Sequence, residues 1–480
     1  MDKETLRPQR GYWAFGFLTA ESAELFRTDL GSFVRTLAPS VSKTGSQSYS
    51  TLAQQRQAVK LLSDITSREL MTDSRNATFA GGSRRSPRHC STSTEEDVFS
   101  NGQDLPQNSE PRATGIQRRL KHFTWAWFTC TMSGGGLGIA LAVEPYRFHG
   151  LYTIGVVVML FNIATFAVLC FAMLARLFLY PKHFLKSLVH PREAFFLSSF
   201  WLSMATILGC IQLYGINEGP QYVWLVDSIH ILYWIYAAVA LVNSVLQYWL
   251  FIHRTPSRPV PFSPSWFLPT YSAMLTGTIA SLIAGSQPPA RRMSIIISGC
   301  AYQGFGWCMA FVLIVMYVYR LVEFGPPPPS LRPGMFIPVG SGSYTIIAFI
   351  GQAQAIPRNY GYFAAHPGSA DTLQTLALFV GIFLWIFMFW LFLIAVMSNV
   401  AGIPNVGFTT TWWAFIFPNV GFTVATIQIG QELGSSAILW VASVMTLLLV
   451  LTWLFTWTMC IRAVLTKRVM WPGKDEDKDL

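Results

Sequence analysis

Few side chains in this sequence could do chemistry, and most of those are uncharged. Asp227 and His230 stand three residues apart inside an apolar run, hence on one helical face. An imidazole so placed titrates in the range of an acidic medium, which makes the pair a candidate pH sensor. The plainer alternative is two groups at headgroup level that reach water. Glu193 and Glu323 fall at the ends of apolar runs, where solvation accounts for them. The remaining polar groups are hydroxyls and amides at helical spacing. Thr124, Thr131, Gly134 and Gly138 form one stripe, and Ser199, Ser203, Thr206 and Cys210 a second. Thr270, Gly277 and Ser281 follow Pro269 in a third. Ser341, Thr345, Ala348 and Gln352 make a fourth, and Thr410, Phe417, Gly421 and Gln428, with Pro418, a fifth. Hydroxyls, helix N-termini and N–H groups freed at expected helix breaks (Gly134, Gly138, Pro269, Pro418, Gly421) can stabilise an anion without a fixed positive charge.

Bond-breaking chemistry finds no support. The H-E-x-x-H, G-x-S-x-G and Walker A patterns are absent, so no catalytic residue is assigned and the chain is not expected to be an enzyme. The run Gly134-Gly135-Gly136-Leu137-Gly138 lies within an apolar helix, with no strand before it to build a phosphate loop. Seven cysteines form no C-x-x-C, and six lie in apolar runs, which reads as small apolar filler; neither a metal nor a cofactor is implied. Transport or conduction of a small organic or inorganic anion is what this residue set can do.

The elements that must position these residues belong in a lipid bilayer. Of 480 residues, 52% are hydrophobic and 12% charged, and the mean hydropathy is +0.39. A soluble chain carries about 25% charged residues. The charges are also segregated: residues 1–115 hold 27 of the 58, against 31 in the other 365. The net charge of +10 resides mostly in the apolar body, which argues against a nucleic-acid partner. The expected organisation is a mostly disordered cytoplasmic tail (1–115), a ten-helix membrane domain (116–470) and a short cytoplasmic C-terminal tail (471–480). Apolar runs fall near 123–143, 151–175, 194–214, 225–250, 266–284, 295–320, 340–356, 373–399, 409–430 and 437–460, and most reach the ~20 residues a spanning helix needs. With both termini inside, sixteen Lys and Arg lie on cytoplasmic flanks and four outside.

Odd and even spans differ in kind. The even spans contain five Gly and no Pro in 128 residues; the odd spans contain 13 Gly and Pro in 100. All five polar stripes are on odd spans. Small residues and hydroxyls favour close helix packing in membranes, and for a single helix that reading suffices. Five alternating helices point further, to repeated hairpins with the odd helices inside around a central pore. The path would then be lined by Thr124, Thr131, Ser203, Thr206, Thr270, Ser281, Thr345, Gln352 and Gln428. In the tail, stretches 18–37 and 52–71 have helical periodicity. Arg84-Arg85-Ser86-Pro87 and Ser93-Thr94-Glu95-Glu96-Asp97 resemble kinase substrates.

Several strings resemble one family. Arg119-Leu120-Lys121-His122-Phe123-Thr124-Trp125-Ala126-Trp127-Phe128-Thr129-Cys130-Thr131-Met132 looks like fungal malic acid permeases, as do Ser265-Trp266-Phe267-Leu268-Pro269 and Arg332-Pro333-Gly334-Met335-Phe336. The closest resemblance is at Trp413-Ala414-Phe415-Ile416-Phe417-Pro418-Asn419-Val420-Gly421-Phe422. These permeases belong to the tellurite-resistance/dicarboxylate transporter family, related to plant slow anion channels and fungal sulfite pumps. The resemblance covers about 118–478. It implies an all-α integral membrane fold of ten helices in five hairpins, a pore in each protomer, a homotrimer in the plasma membrane, and transport of malate or similar C4-dicarboxylates, proton-coupled in some members. In channel relatives a phenylalanine of the ninth helix obstructs the pore, and Phe417 is the matching position. Some malate permeases carry Pro-Pro and a later arginine where this chain has Ser341-Gly342 and Gln354. Sulfite efflux or channel-like anion passage is the alternative activity, and a membrane scaffold or sensor a further one.

Overall fold

The structure, a computed structural model, describes residues 119–190, 193–254, 262–403 and 407–471. Both expected tail helices and the phosphorylation-like strings lie outside the described residues. Apolar segments in lipid must satisfy their backbone internally, and here they do so as helices. The long ones are α1 (Phe128–Ala142), α2 (Leu151–Leu179), α3 (Leu197–Cys210), α4 (Val223–Arg254), α5 (Phe267–Ile283), α6 (Pro289–Phe324), α7 (Ile337–Gln354), α8 (Ser369–Val400), α9 (Phe417–Glu432) and α10 (Ser436–Leu465). Among the described residues there is no strand. Among the described residues, from α2 onward, nine helices are long and apolar enough to cross a membrane. The first is shorter, at 15 residues. With its 3-10 turn Trp125–Trp127 it extends about 28 Å, close to the ~30 Å hydrocarbon core.

Every odd helix is preceded by a 3-10 turn: Trp125–Trp127, Ala194–Phe196, Pro264–Trp266, Pro329–Phe336 and Thr410–Phe415. Three follow an extended residue, Thr124, Ser263 or Thr409. Aromatic rings and first-turn prolines recur in these segments. Proline is tolerated there because the first N–H groups of a helix have no intrahelical acceptor. The even helices begin differently. Gly150 and Gly368 adopt φ of +102° and +87° at the starts of α2 and α8, a left-handed turn that a side chain would strain.

Burial divides the helices as the compositional alternation predicts. Within the apolar stretches of α3, α5, α7 and α9, 61–89% of residues are buried; in α2, α4, α6, α8 and α10 the share is 17–28%. In α1, only Ile139 and Ala142 escape burial. The odd helices pack in sequence, α1 on α3, α3 on α5, α5 on α7 and α7 on α9, and α9 closes on α1. Each even helix packs on the outside of this ring. The odd helices are parallel and in repeating register: the Tyr214 hydroxyl reaches the Gly138 carbonyl 76 residues away, and the Tyr344 hydroxyl the Phe417 carbonyl 73 residues away. One hairpin of about 70 residues therefore carries the chain one position around the ring.

Candidate functional site

Small residues let the inner helices approach, and polar side chains then fix each seam. Between α1 and α3 the Thr131 and Ser203 hydroxyls lie 2.8 Å apart, and Tyr214 donates to the Gly138 carbonyl at 2.8 Å. Between α3 and α5 the fixing group comes from an outer helix. Asn243 of α4 donates from Nδ2 to Ser198 at 3.1 Å and to Ser272 at 3.0 Å, and Gln247 donates to the Asn243 carbonyl oxygen at 2.8 Å. Between α5 and α7, Gln303 of α6 donates to Thr345 at 2.9 Å, and Gln352 to the Gly277 carbonyl at 2.8 Å. Asn162 of α2 is likewise buried. It fills the space beside Gly134 and Gly135, where an added Cβ would come within 2.4 and 3.0 Å of its amide atoms.

The seams beside α9 are built of rings and glycines. Phe417, 1% exposed, stacks on Tyr344 of α7. A Cβ on Gly136 of α1 would meet the same ring at 3.4 Å. A side chain that touches both ring neighbours of its own helix projects between them. Pro418 packs near Gly340, and the Ser133 hydroxyl donates to the Trp413 carbonyl at 3.0 Å.

These positions revise several expectations. Gly134 and Gly138 lie inside an unbroken α1 and Gly421 inside α9, so these glycines serve close approach and do not break helices. Pro269 and Pro418 occupy first turns, where no hydrogen bond is lost. Of the nine expected path residues, Thr131, Ser203, Thr270, Thr345 and Gln352 make hydrogen bonds to other helices, with Thr270 2.7 Å from the Tyr248 hydroxyl. Thr206 bonds back to the Ser203 carbonyl and Ser281 to that of Thr278. Thr124 leads into the first 3-10 turn. Packing claims most of these groups because two buried hydroxyls satisfy each other more cheaply than either would face an empty apolar space. Gln428 differs: it is half-buried, and its Oε1 is buried without a partner.

The candidate pH pair is divided between other partners. Asp227 forms an ion pair with Arg291 of α6, and His230 accepts a hydrogen bond from the Trp234 indole at 3.2 Å. Glu323 is exposed, as expected, but Glu193 is not. Glu193 and Arg176 are both fully buried and 2.7 Å apart, joining the end of α2 to the turn before α3. The sequence alone puts Glu193 at a solvated flank, and nothing local to it indicates the pairing with Arg176. Glu144 was also missed. It is 7% exposed after α1 and accepts from Ser443 of α10. The signal for Asn162 and Gln303 was available, since each is the sole amide of its outer helix and stands amid apolar residues near the helix middle. Gln354, standing where some permeases have arginine, donates to Glu432.

Residues 122–461 match the voltage-dependent anion channel family. That stretch contains all ten long helices, apart from the last turn of α10. The chain belongs to this family. It is 33% identical over 365 residues to the malic acid transport protein of Schizosaccharomyces pombe, covering 75% of this chain and 83% of that one. A putative malic acid transport protein of the same organism is 31% identical, with 75% and 84% covered. The sulfite efflux pump of Trichophyton rubrum is 27% identical over 66% of this chain and 84% of its own.

Within this family fold the charge pattern favours anions without fixed cations. The helices α1, α3, α5, α7 and α9 carry no Lys or Arg. Their parallel N-termini turn five positive dipole ends toward the same face of the bundle. Lys121, His122, His183 and Lys186 lie at that face. Burial, followed by the charges of Lys121, Arg176, Lys186 and His122, holds the His183 imidazole below its usual range.

Proposed function

We infer that this chain is a plasma-membrane transporter of malate or a related C4-dicarboxylate, with both termini in the cytoplasm. The observation that carries the reading is the similarity to a malic acid transport protein and a putative one, each over 75% of this chain. The excess of Lys and Arg on one set of flanks supports the orientation. The family resemblance supports a homotrimer and proton coupling. Phe417 is the constriction: it projects between α7 and α1, and its bulk closes a narrow apolar passage by excluding water. Gln428, with an unpartnered carbonyl oxygen and an amide beside it, is the path residue placed to meet a solute. Sulfite efflux is the second reading, favoured by an inner ring that has no cation to hold a dicarboxylate at both ends. Proteoliposomes containing the full chain should take up labelled malate faster than succinate or sulfite, and faster at pH ~5 than at pH ~7. Preference for sulfite at both pH values would install the second reading.

A further inference from the structure

Tyr344 touches Phe417 in two ways. Its ring stacks on the Phe417 ring, centroids 5.0 Å apart with 29° between the planes, and its hydroxyl donates to the Phe417 carbonyl oxygen at 2.9 Å. The same ring fills the space beside Gly421, where an added Cβ would come within 2.9 Å of it. Tyr344 is 5% exposed and belongs to α7, so it grips the neighbouring helix from within the ring.

The gripped residue is at a joint. The 3-10 turn Thr410–Phe415 ends before Ile416, which has φ −105° and ψ −66°, and α9 starts at Phe417. Pro418, in the first turn, has no N–H. The joint is spanned by the Val420 N–H to the Ile416 carbonyl at 2.8 Å and by the Asn419 side-chain amide, which donates to the Phe415 carbonyl at 2.9 Å. A small rotation at such a joint redirects a side chain without unwinding either helical piece. The Phe417 carbonyl turns with that rotation, so a hydrogen bond to it reports and resists the turn. Stacking alone would let the ring slide.

We propose that Tyr344 is the latch of the gate, a positioning residue whose hydroxyl holds the Phe417 carbonyl and so keeps the phenyl ring across the path. This rests on the reading of Phe417 as the constriction. Transport opens the latch by breaking the hydrogen bond, and Gly421 is needed because any side chain there would push the phenol ring away. The stack and the bond together make the closed state the resting one.

The test uses the full chain in proteoliposomes, with malate flux divided by the amount of folded protein. Tyr344→Phe keeps the ring and removes the hydroxyl, and it should raise flux roughly 2- to 10-fold, the effect of one lost hydrogen bond on an equilibrium. Gly421→Ala, which displaces the ring, should raise it too. Adding Tyr344→Phe to Phe417→Ala should change nothing further, because the latch then holds no gate. If Phe417→Ala raises flux and Tyr344→Phe does not, the constriction stands and the latch is wrong. Equal effects of Tyr344→Phe with and without the Phe417 ring would also overturn the latch. If Phe417→Ala leaves flux unchanged, the constriction itself falls and the latch with it.

Discussion

At the seam between α3 and α5, Asn243 and Gln247 of an outer helix bind Ser198 and Ser272 in a closed set of hydrogen bonds. At the seams on either side of α9, the contacts are Phe417 on Tyr344, Gly136 beneath Phe417, and single bonds to carbonyls. The ring is therefore tied by an amide network on one side, and held on the other by ring packing with single hydrogen bonds. A satisfied amide network in lipid has one good geometry and resists displacement, because each broken bond leaves a buried polar group unpaired. Aromatic rings over glycine keep contact through a range of small rotations. The difference predicts that α2 through α6 act as scaffold and that any moving wall is α9.

The largest effect expected on the tied side comes from Arg176→Ala. It leaves Glu193 charged in a fully buried place, and breaking a buried pair costs about 3–5 kcal/mol. Folded yield and the melting point in detergent should both collapse. Replacing the pair together, as Arg176→Met with Glu193→Leu, should recover most of the loss; if the single and double variants melt alike, the pair is not what holds α2 to α3.

Asn243→Leu comes next. It strips partners from Ser198, Ser272 and Gln247 and should cost about 1–3 kcal/mol, read as a lower melting point. Malate flux per folded molecule should stay within about twofold of the parent, as befits scaffold. A large gain in flux here would place movement on the tied side too and dissolve the contrast.

A smaller effect concerns His183, whose folded imidazole titrates below the usual value. The unfolded chain then binds the proton more readily. Stability is thus fullest above the ordinary histidine value of about 6.5 and declines as pH falls below it. His183→Gln should flatten the dependence of melting point on pH between roughly 6.5 and 5. An unchanged slope assigns the acid sensitivity to other groups.

The smallest effect is expected at His230. Asp227 is already paired with Arg291, and His230 lies on an outer helix of the tied side. His230→Ala should leave the pH profile of flux within about twofold between pH ~5 and ~7.5. A flattened profile would restore the Asp227–His230 pair as an external acid sensor.

Membrane insertion, the spacing of the spans and the difference between inner and outer helices were all legible in the sequence. They follow from local properties: a run of apolar residues must be helical in lipid, and helices that touch other helices on all sides need small residues that lipid-facing ones do not. The tertiary structure decided where each polar group is spent. Thr131 and Ser203 share a stripe pattern with Gln428, yet the first two bond to each other, whereas Gln428 keeps an unpartnered oxygen. Likewise nothing in the sequence near Glu193 separates a solvated carboxylate from one buried against Arg176. Such pairings join residues 17 to 75 positions apart. They depend on helix rotation and register, which the whole ring sets by packing, and no local stretch of sequence contains them.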